Sequence, residues 1–460
     1  MSSPPYSHPN ASEQPSAAPP SLEELLAQVQ ETILTAIQKR QNVLGSFPIS
    51  QPLAPLYALA ALKGQFLCLV VVPDRMTIQR HLEQFQRNGI VYPQVAALDG
   101  SQPPHLERET LDHIRRKGVS ILYTVPDAFG SIHFLQRLLH LNLGCIVVEQ
   151  AQYLIPGTSL YYRYNRFFTG WNAISNKPPL VLLTSPLSVK FKQKLIDNLG
   201  IPPERLETLD LPPSFENCTL TVRRCLTEKH KFQVLLKALQ GELLELRFPG
   251  SSLNVKHPGP TVIHTMDMRT AERMARTLQK KGFENVYVYT SALNRAECQT
   301  IERIFKHEPD TILVSAYHSG HFFRHPTAHP LKNIFWNIHP GLYELIGQAF
   351  PWHQPISQVA TLLLYSKEDY SKNLSLMNTH VWEDEDLAQD DLDWTMARLK
   401  DEPLPALRRW VLSEECRFAS GSAQLLNLSP ERLQPCGICD QCRTPSFGLA
   451  WDAIFKHWLY

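Results

Sequence analysis

The sequence predicts an α/β protein of two tandem lobes, each a parallel sheet covered by helices, followed by a small helical zinc-binding module. Three observations predict it. Short apolar runs alternate with helical patterns, and the alternation occurs twice, on either side of a proline-rich break. Four closely spaced cysteines then gather near the end of the 460-residue chain.

Residues 1–20 are rich in proline and small polar residues. Such a composition buries too little apolar surface to fold, so a disordered tail is expected. Ser21 and Glu24 have the spacing of a capping box, and Leu22, Leu25, Leu26, Val29, Ile33 and Ile37 form one apolar stripe at helical spacing. In a first lobe, placed at 21–208, apolar runs fall at 67–72, 119–125, 145–148 and 180–184, with helical patterns at 77–87 and 107–117. Short uninterrupted apolar runs between helices imply strands covered on both faces, hence parallel sheet.

Pro212, Pro213 and the loop-rich stretch 248–260 mark the break. The second lobe, placed at 209–370, has strand patterns at 261–264, 286–289, 311–315, 333–338 and 359–365. Its helical patterns lie at 269–281 and 295–306, the latter opened by Asn294 and Glu297 as a capping box. An acidic stretch at 383–394 with seven carboxylates reads as a solvated linker within a third region, 371–445, and 446–460 as a tail.

The net charge of +1 gives no global basic signal, so any nucleic-acid surface must be a local patch. No apolar run reaches the roughly 18 residues needed to span a bilayer, and the N-terminus lacks a hydrophobic signal core. A cytoplasmic protein with no membrane partner is expected. Nine cysteines are too sparse for a disulfide scaffold. Cys68, Cys145, Cys218, Cys225 and Cys298 are scattered and read as small buried residues.

The other four, Cys416, Cys436, Cys439 and Cys442, read C-x19-C-x2-C-x2-C. Thiolates so spaced can close a tetrahedral shell on structural Zn²⁺. An iron–sulfur cluster or a redox dithiol at one C-x2-C pair are the alternatives.

The run Cys436-Gly437-Ile438-Cys439-Asp440-Gln441-Cys442, placed after two α/β lobes, resembles the zinc module of RecQ-family DNA helicases of superfamily 2. The resemblance extends over about residues 25–445. Leu362-Leu363-Leu364-Tyr365-Ser366 with Asp369 resembles the strand closing the second lobe. Leu183-Thr184-Ser185-Pro186 sits at the family's Thr-Ala-Thr motif, and Ser214-Phe215-Glu216-Asn217 at the link between lobes. Gln30, Ala36-Ile37 and Asn42-Val43-Leu44 match the opening helix and first strand, with Gln30 at the position of an adenine-reading glutamine. The resemblance implies two RecA-like lobes and ATP-dependent 3′–5′ unwinding of DNA. With 15 residues after position 445, the winged-helix domain that follows in many members is not expected in this sequence.

The catalytic motifs depart from that pattern. A phosphate loop needs glycines, a lysine for the phosphate charge and a hydroxyl for Mg²⁺. The loop falls on 48–54, where the lysine position is Leu53 and the hydroxyl position Ala54. The Asp-Glu-Ala-His motif reads Glu149-Gln150-Ala151-Gln152; Glu149 keeps a carboxylate, but the amide of Gln150 cannot take the proton of an attacking water. In the second lobe Gln348 and Pro351 stand where arginines would stabilise the transition state. No catalytic residue, and no ATP or Mg²⁺ dependence, is therefore expected.

After Gln152 the chain is rich in aromatics, with Tyr162, Arg163, Arg166 and Trp171 as candidate nucleic-acid contacts. Interleaved rings and guanidinium groups suit stacking on bases and pairing with phosphates. The competing reading is that the rings pack a helix against the sheet. The sequence thus points to a non-hydrolysing RecQ-like protein that binds single-stranded or forked DNA, in repair or recombination or as modulator of a protein partner. An active helicase and a protein-interaction scaffold without nucleic acid are the rivals.

Overall fold

Seven strands form the first sheet: β1 (Asn42–Ser46), β2 (Leu67–Val71), β3 (Val95–Ala97), β4 (Ile121–Thr124), β5 (Leu143–Glu149), β6 (Leu180–Thr184) and β7 (Leu206–Asp210), in the order β3-β4-β2-β5-β6-β1-β7. Every pairing is parallel. Helix α1 (Leu22–Gln38) precedes the sheet, and α2 (Ala54–Gly64), α3 (Arg75–Arg87), α4 (Pro104–Arg115), α5 (Ile132–Leu139), α6 (Tyr161–Ala173) and α7 (Val189–Leu199) supply the crossovers. Each residue of β2, β4 and β6 is buried, which is why these runs carry no polar alternation. These features come from a computed structural model describing residues 22–47, 53–64, 66–100, 102–116, 118–155, 161–185, 187, 189–210, 218–243, 260–290, 293–316, 331–337, 345, 359–366, 368–369, 371, 403–426, 435–437 and 439–443.

The second sheet holds β8 (Cys218–Arg224), β9 (Thr261–Thr265), β10 (Val286–Tyr289), β11 (Ile312–Ala316), β12 (Leu331–Phe335) and β13 (Val359–Tyr365), again all parallel, in the order β10-β11-β9-β12-β13-β8. Helices α8 (Glu228–Leu239), α9 (Met268–Lys280) and α10 (Arg295–His307) belong to this lobe. The capping box at Asn294 and Glu297 is formed in both directions, at 3.0 and 2.8 Å. Ser21 lies outside the described residues. Behind the lobes come α11 (Pro403–Leu412), α12 (Arg417–Leu426) and the short α13 (Asp440–Arg443).

Two departures from the sequence pattern have clear causes. The apolar run at 333–338 yields a strand that ends at Phe335, because Asn337 turns its amide to donate to Asp369 Oδ1 at 3.1 Å. Helix α2 has no legible periodicity because it is buried nearly all round, with Ala54, Leu56, Tyr57, Ala58, Ala60 and Ala61 in the core. The second lobe also encloses an ion pair: Lys231 Nζ donates to both oxygens of Asp369 at 2.9 Å and to the Trp336 carbonyl, both charged side chains being 2% exposed. This pair ties α8 to the ends of β12 and β13. Cys68, Cys145, Cys225 and Cys298 are buried free thiols. Among the described residues no helix is long and apolar enough to cross a membrane.

Candidate functional site

The end of β5 and the start of α2 face each other where the sequence places its degenerate phosphate-site residues. Residues 48–52 lie outside the described set. Leu53 and Ala54 are both buried, Ala54 being the first residue of α2. One turn further, Tyr57 Oη donates to Glu149 Oε1 at 2.8 Å and lies 2.8 Å from Tyr123 Oη. His81 Nδ1 is 3.7 Å from the same carboxylate oxygen, and its ring centroid is 5.3 Å from that of Tyr123. Glu149 is 2% exposed. Burial first, then the Glu149 charge, push the Tyr57 phenol well above its ordinary range, so it stays a proton donor.

The backbone beside this carboxylate is equally committed. Tyr164 Oη donates to the Glu149 carbonyl at 2.8 Å, and Gln152 Oε1 accepts the Ser185 N–H at 3.3 Å. Gln150 adopts a left-handed conformation, φ 52° and ψ 45°, at the mouth of a 3₁₀ turn. Its amide oxygen is buried with no hydrogen-bond partner among the described residues. A non-glycine residue there costs on the order of 1–2 kcal/mol. Gln30, the expected adenine reader, donates from Nε2 to the Pro55 carbonyl at 3.0 Å, stapling α1 to α2. Gln348 and Pro351 lie outside the described residues.

The aromatic segment forms α6, and its rings serve the core. Tyr164, Phe167 and Trp171, at i, i+3 and i+7, are buried. Trp171, expected among the nucleic-acid contacts, is 4% exposed and lies near-parallel to Phe167 at 6.3 Å, with Lys177 Nζ 4.8 Å from its centroid. This position corrects the reading of Trp171 as a stacking platform: its ring is used inside the lobe. Gly170 explains how the helix comes so close, since a Cβ there would meet Phe129 Cδ1 at 2.3 Å. Arg163 and Arg166 are half-exposed and share Asp127, at 3.9 and 3.3 Å. The side chain of Tyr162 lies outside the described set.

The four C-terminal cysteines converge. Their Sγ atoms all lie within 4.8 Å of one another, with Cys436–Cys442 at 3.9 Å and Cys416–Cys439 at 4.0 Å. A tetrahedral Zn²⁺ with bonds of about 2.3 Å would set these edges at about 3.8 Å, so the thiolates fit a zinc ion. Cys416 Sγ also accepts the N–H groups of Ala419 at 3.4 Å and Cys436 at 3.3 Å, and Cys439 Sγ that of Arg417 at 3.4 Å. The thiols of Cys436 and Cys439, then the N–H groups of Ala419 and Cys436, hold the Cys416 thiol far below its usual range. Gly437 supplies the positive φ of 69° that the knuckle turn requires.

Sequence reasoning missed the residues that mount this cluster. Arg417, 1% exposed, donates to the carbonyls of Trp410 and Val411 and pairs with both oxygens of Asp440 at 3.3 Å. Trp410 Nε1 returns a bond to the Arg417 carbonyl at 3.0 Å. Arg224 of β8 donates to the carbonyls of Val411 and Leu412, and Cys439 forms a parallel bridge with Leu220 at the edge of the second sheet. The only sequence signal was the adjacency of Arg417 to Cys416 and of Asp440 to Cys439.

No family model matches the chain. Among solved structures, the DUF1998 helicase MrfA bound to DNA aligns with a TM-score of 0.55 at 13% identity, over 74% of this chain and 48% of that one, so the chain spans about half of MrfA's length. Dbp5 of S. cerevisiae, bound to RNA and ADP BeF3, aligns with a TM-score of 0.53 at 13% identity, over 82% of this chain and 96% of that one. At these identities the likeness is one of fold: two parallel-sheet α/β lobes like RecA-like helicase domains, here with a cysteine cluster that can hold zinc.

Proposed function

We propose that this chain is a RecQ-like nucleic-acid-binding protein that does not hydrolyse ATP and whose C-terminal module is held by structural zinc. One observation carries the reading. Glu149, the carboxylate at the strand end where a Mg²⁺ ligand would be needed, is buried and engaged by the Tyr57 phenol at 2.8 Å. With apolar Leu53 and Ala54 opposite and an amide at Gln150, the position lacks a phosphate cation, a Mg²⁺ hydroxyl and a general base. The helicase MrfA is solved with DNA and Dbp5 with RNA, which supports nucleic acid as the ligand of the two-lobed framework. Arg163 and Arg166 are candidate phosphate contacts, since exposed pairs such as those with Asp127 are worth only about 0–1 kcal/mol and exchange easily. DNA is the expected nucleic acid, and repair or recombination, alone or through a partner enzyme, the expected setting.

The test is a DNA-stimulated ATPase assay on zinc-quantified protein, with binding to single-stranded and forked DNA titrated against salt. No turnover, with binding that weakens as salt rises, is the expected outcome. Turnover that disappears on Gln150→Ala would overturn the non-hydrolysing reading, and absence of salt-sensitive DNA binding would remove the nucleic-acid reading.

A further inference from the structure

Helix α3 of the first lobe touches the second lobe through two consecutive rungs. In the first, Arg80 Nη2 donates to Glu302 Oε1 at 2.8 Å and to Tyr289 Oη at 3.0 Å, while Tyr289 Oη donates to Glu302 Oε1 at 2.6 Å. In the second, Gln299 Nε2 donates to Glu83 Oε1 at 3.1 Å. Arg80 and Glu83 are three residues apart on α3, as are Gln299 and Glu302 on α10, so the rungs lie one above the other on facing helices. The upper rung is sheltered: the side chains of Arg80 and Glu302 are 25% and 17% exposed, and Tyr289 is buried. Sheltered, charge-assisted bonds of this kind are stronger than the surface pairs elsewhere on the chain.

The same helix also faces inward. His81, next to Arg80, lies against Tyr123 and Glu149. Thus α3 is anchored on one side to the Tyr57–Glu149 cluster and on the other to the second lobe. A ligand shifts the balance between two lobe orientations only by as much as it binds one better than the other. In an ATP-driven core a nucleotide between the lobes can supply that difference; here side chains already bridge the gap.

We propose that the Arg80–Tyr289–Glu302 cluster, with Glu83 and Gln299 beside it, is a built-in clamp that holds the two lobes in one relative orientation without nucleotide. A preassembled two-lobe surface follows, whose affinity for nucleic acid does not respond to ATP. That consequence rests on the function proposed above, whereas the clamp itself does not.

Single-molecule energy transfer on the full chain tests it, with dyes placed by unnatural amino acids at the exposed positions of Arg108 and Lys280, one on each lobe. The unsubstituted chain should show one narrow distance population, unchanged by AMPPNP. Arg80→Ala should broaden it or raise a second population at least tenfold, and the exchange Arg80→Glu with Glu302→Arg should restore the narrow one. Circular dichroism checks that each variant is folded; should Arg80→Ala not fold, Gln299→Ala reads the second rung, with a broader population expected. The clamp is refuted if the unsubstituted chain interconverts between populations, if AMPPNP shifts its distance, or if the folded variants keep the same distribution. ATP turnover in the separate assay would overturn the proposed function while leaving the distance measurement to decide the clamp.

Discussion

Replacing Tyr57 by phenylalanine removes one oxygen and leaves the ring to fill the same space. Glu149, 2% exposed, then loses its 2.8 Å donor, and Tyr123 loses a partner as well. A hydrogen bond to a charged group contributes about 1.5–3 kcal/mol, and leaving its buried acceptor short of a donor sits within that range. A loss of about 2 kcal/mol corresponds to roughly 30-fold more frequent local opening, at about 1.4 kcal/mol per factor of ten. Hydrogen exchange of peptides from α2 and β5 reads this directly. Glu149→Gln is the control, because an amide oxygen still accepts from Tyr57, so protection should fall by far less. Equal protection in Tyr57→Phe and the unsubstituted chain would show that the carboxylate is satisfied otherwise. A larger effect of Glu149→Gln than of Tyr57→Phe would show that its charge, rather than its acceptor role, matters there.

Three further outcomes follow from the same geometry. Purified protein should carry one zinc per chain by elemental analysis, and Arg417→Met should weaken its retention against chelator and destabilise the module by about 3–5 kcal/mol, the usual effect of removing one partner of a buried pair; full retention would show that Arg417 does not mount the cluster. His264, buried with Nε2 2.6 Å from Asn333 Oδ1, is lowered by burial from 6.5 to about 4. Its folded-state value lies below the unfolded one, so the stability it contributes is full above pH 6.5 and lost as pH falls from there towards 4. The loss amounts to at most about 3 kcal/mol, and His264→Gln should flatten urea-unfolding stability across that window; an unchanged pH profile would contradict the assignment. Lys231→Met leaves Asp369, among the described residues, with the Asn337 and Ser366 donors, and should lower second-lobe stability by about 3–5 kcal/mol in the same assay, an effect below 1 kcal/mol counting against a structural role.

The strands were legible because burial on both faces leaves an unmixed apolar run, as in β2 and β6. The cysteine cluster was legible because three of its four members, Cys436, Cys439 and Cys442, lie close in sequence. What stayed hidden was long-range and polar. Tyr57 and Glu149 are 92 positions apart, Arg80 and Glu302 are 222, and Lys231 and Asp369 are 138. No local pattern announces such pairs, since tyrosine in a helix reads as core and lysine in a helix as surface. Trp171 carried two readings, nucleic-acid contact and packing face, and its burial with Tyr164 and Phe167 at i, i+3, i+7 spacing favours the second.

On the proposed reading, the altered motifs are a different solution to the same local problem. A strand ending in a carboxylate inside a lobe must have that group bound by something, because an unpaired buried charge is far too costly to keep. A Mg²⁺–nucleotide site meets the need with a cation and a hydroxyl. Here leucine and alanine stand at those positions, and the helix they open brings a phenol to the carboxylate one turn later. The same helix accepts the amide of Gln30, so groups expected to bind nucleotide hold α1, α2 and β5 together instead. If so, restoring lysine and serine at Leu53 and Ala54 alone should not restore turnover. Tyr57 would still engage Glu149, and a lysine at the buried position 53 would carry the desolvation cost of a second charge. The expected result of that double substitution is a less stable first lobe with no ATPase activity; recovered turnover would show that Tyr57 yields its place to nucleotide.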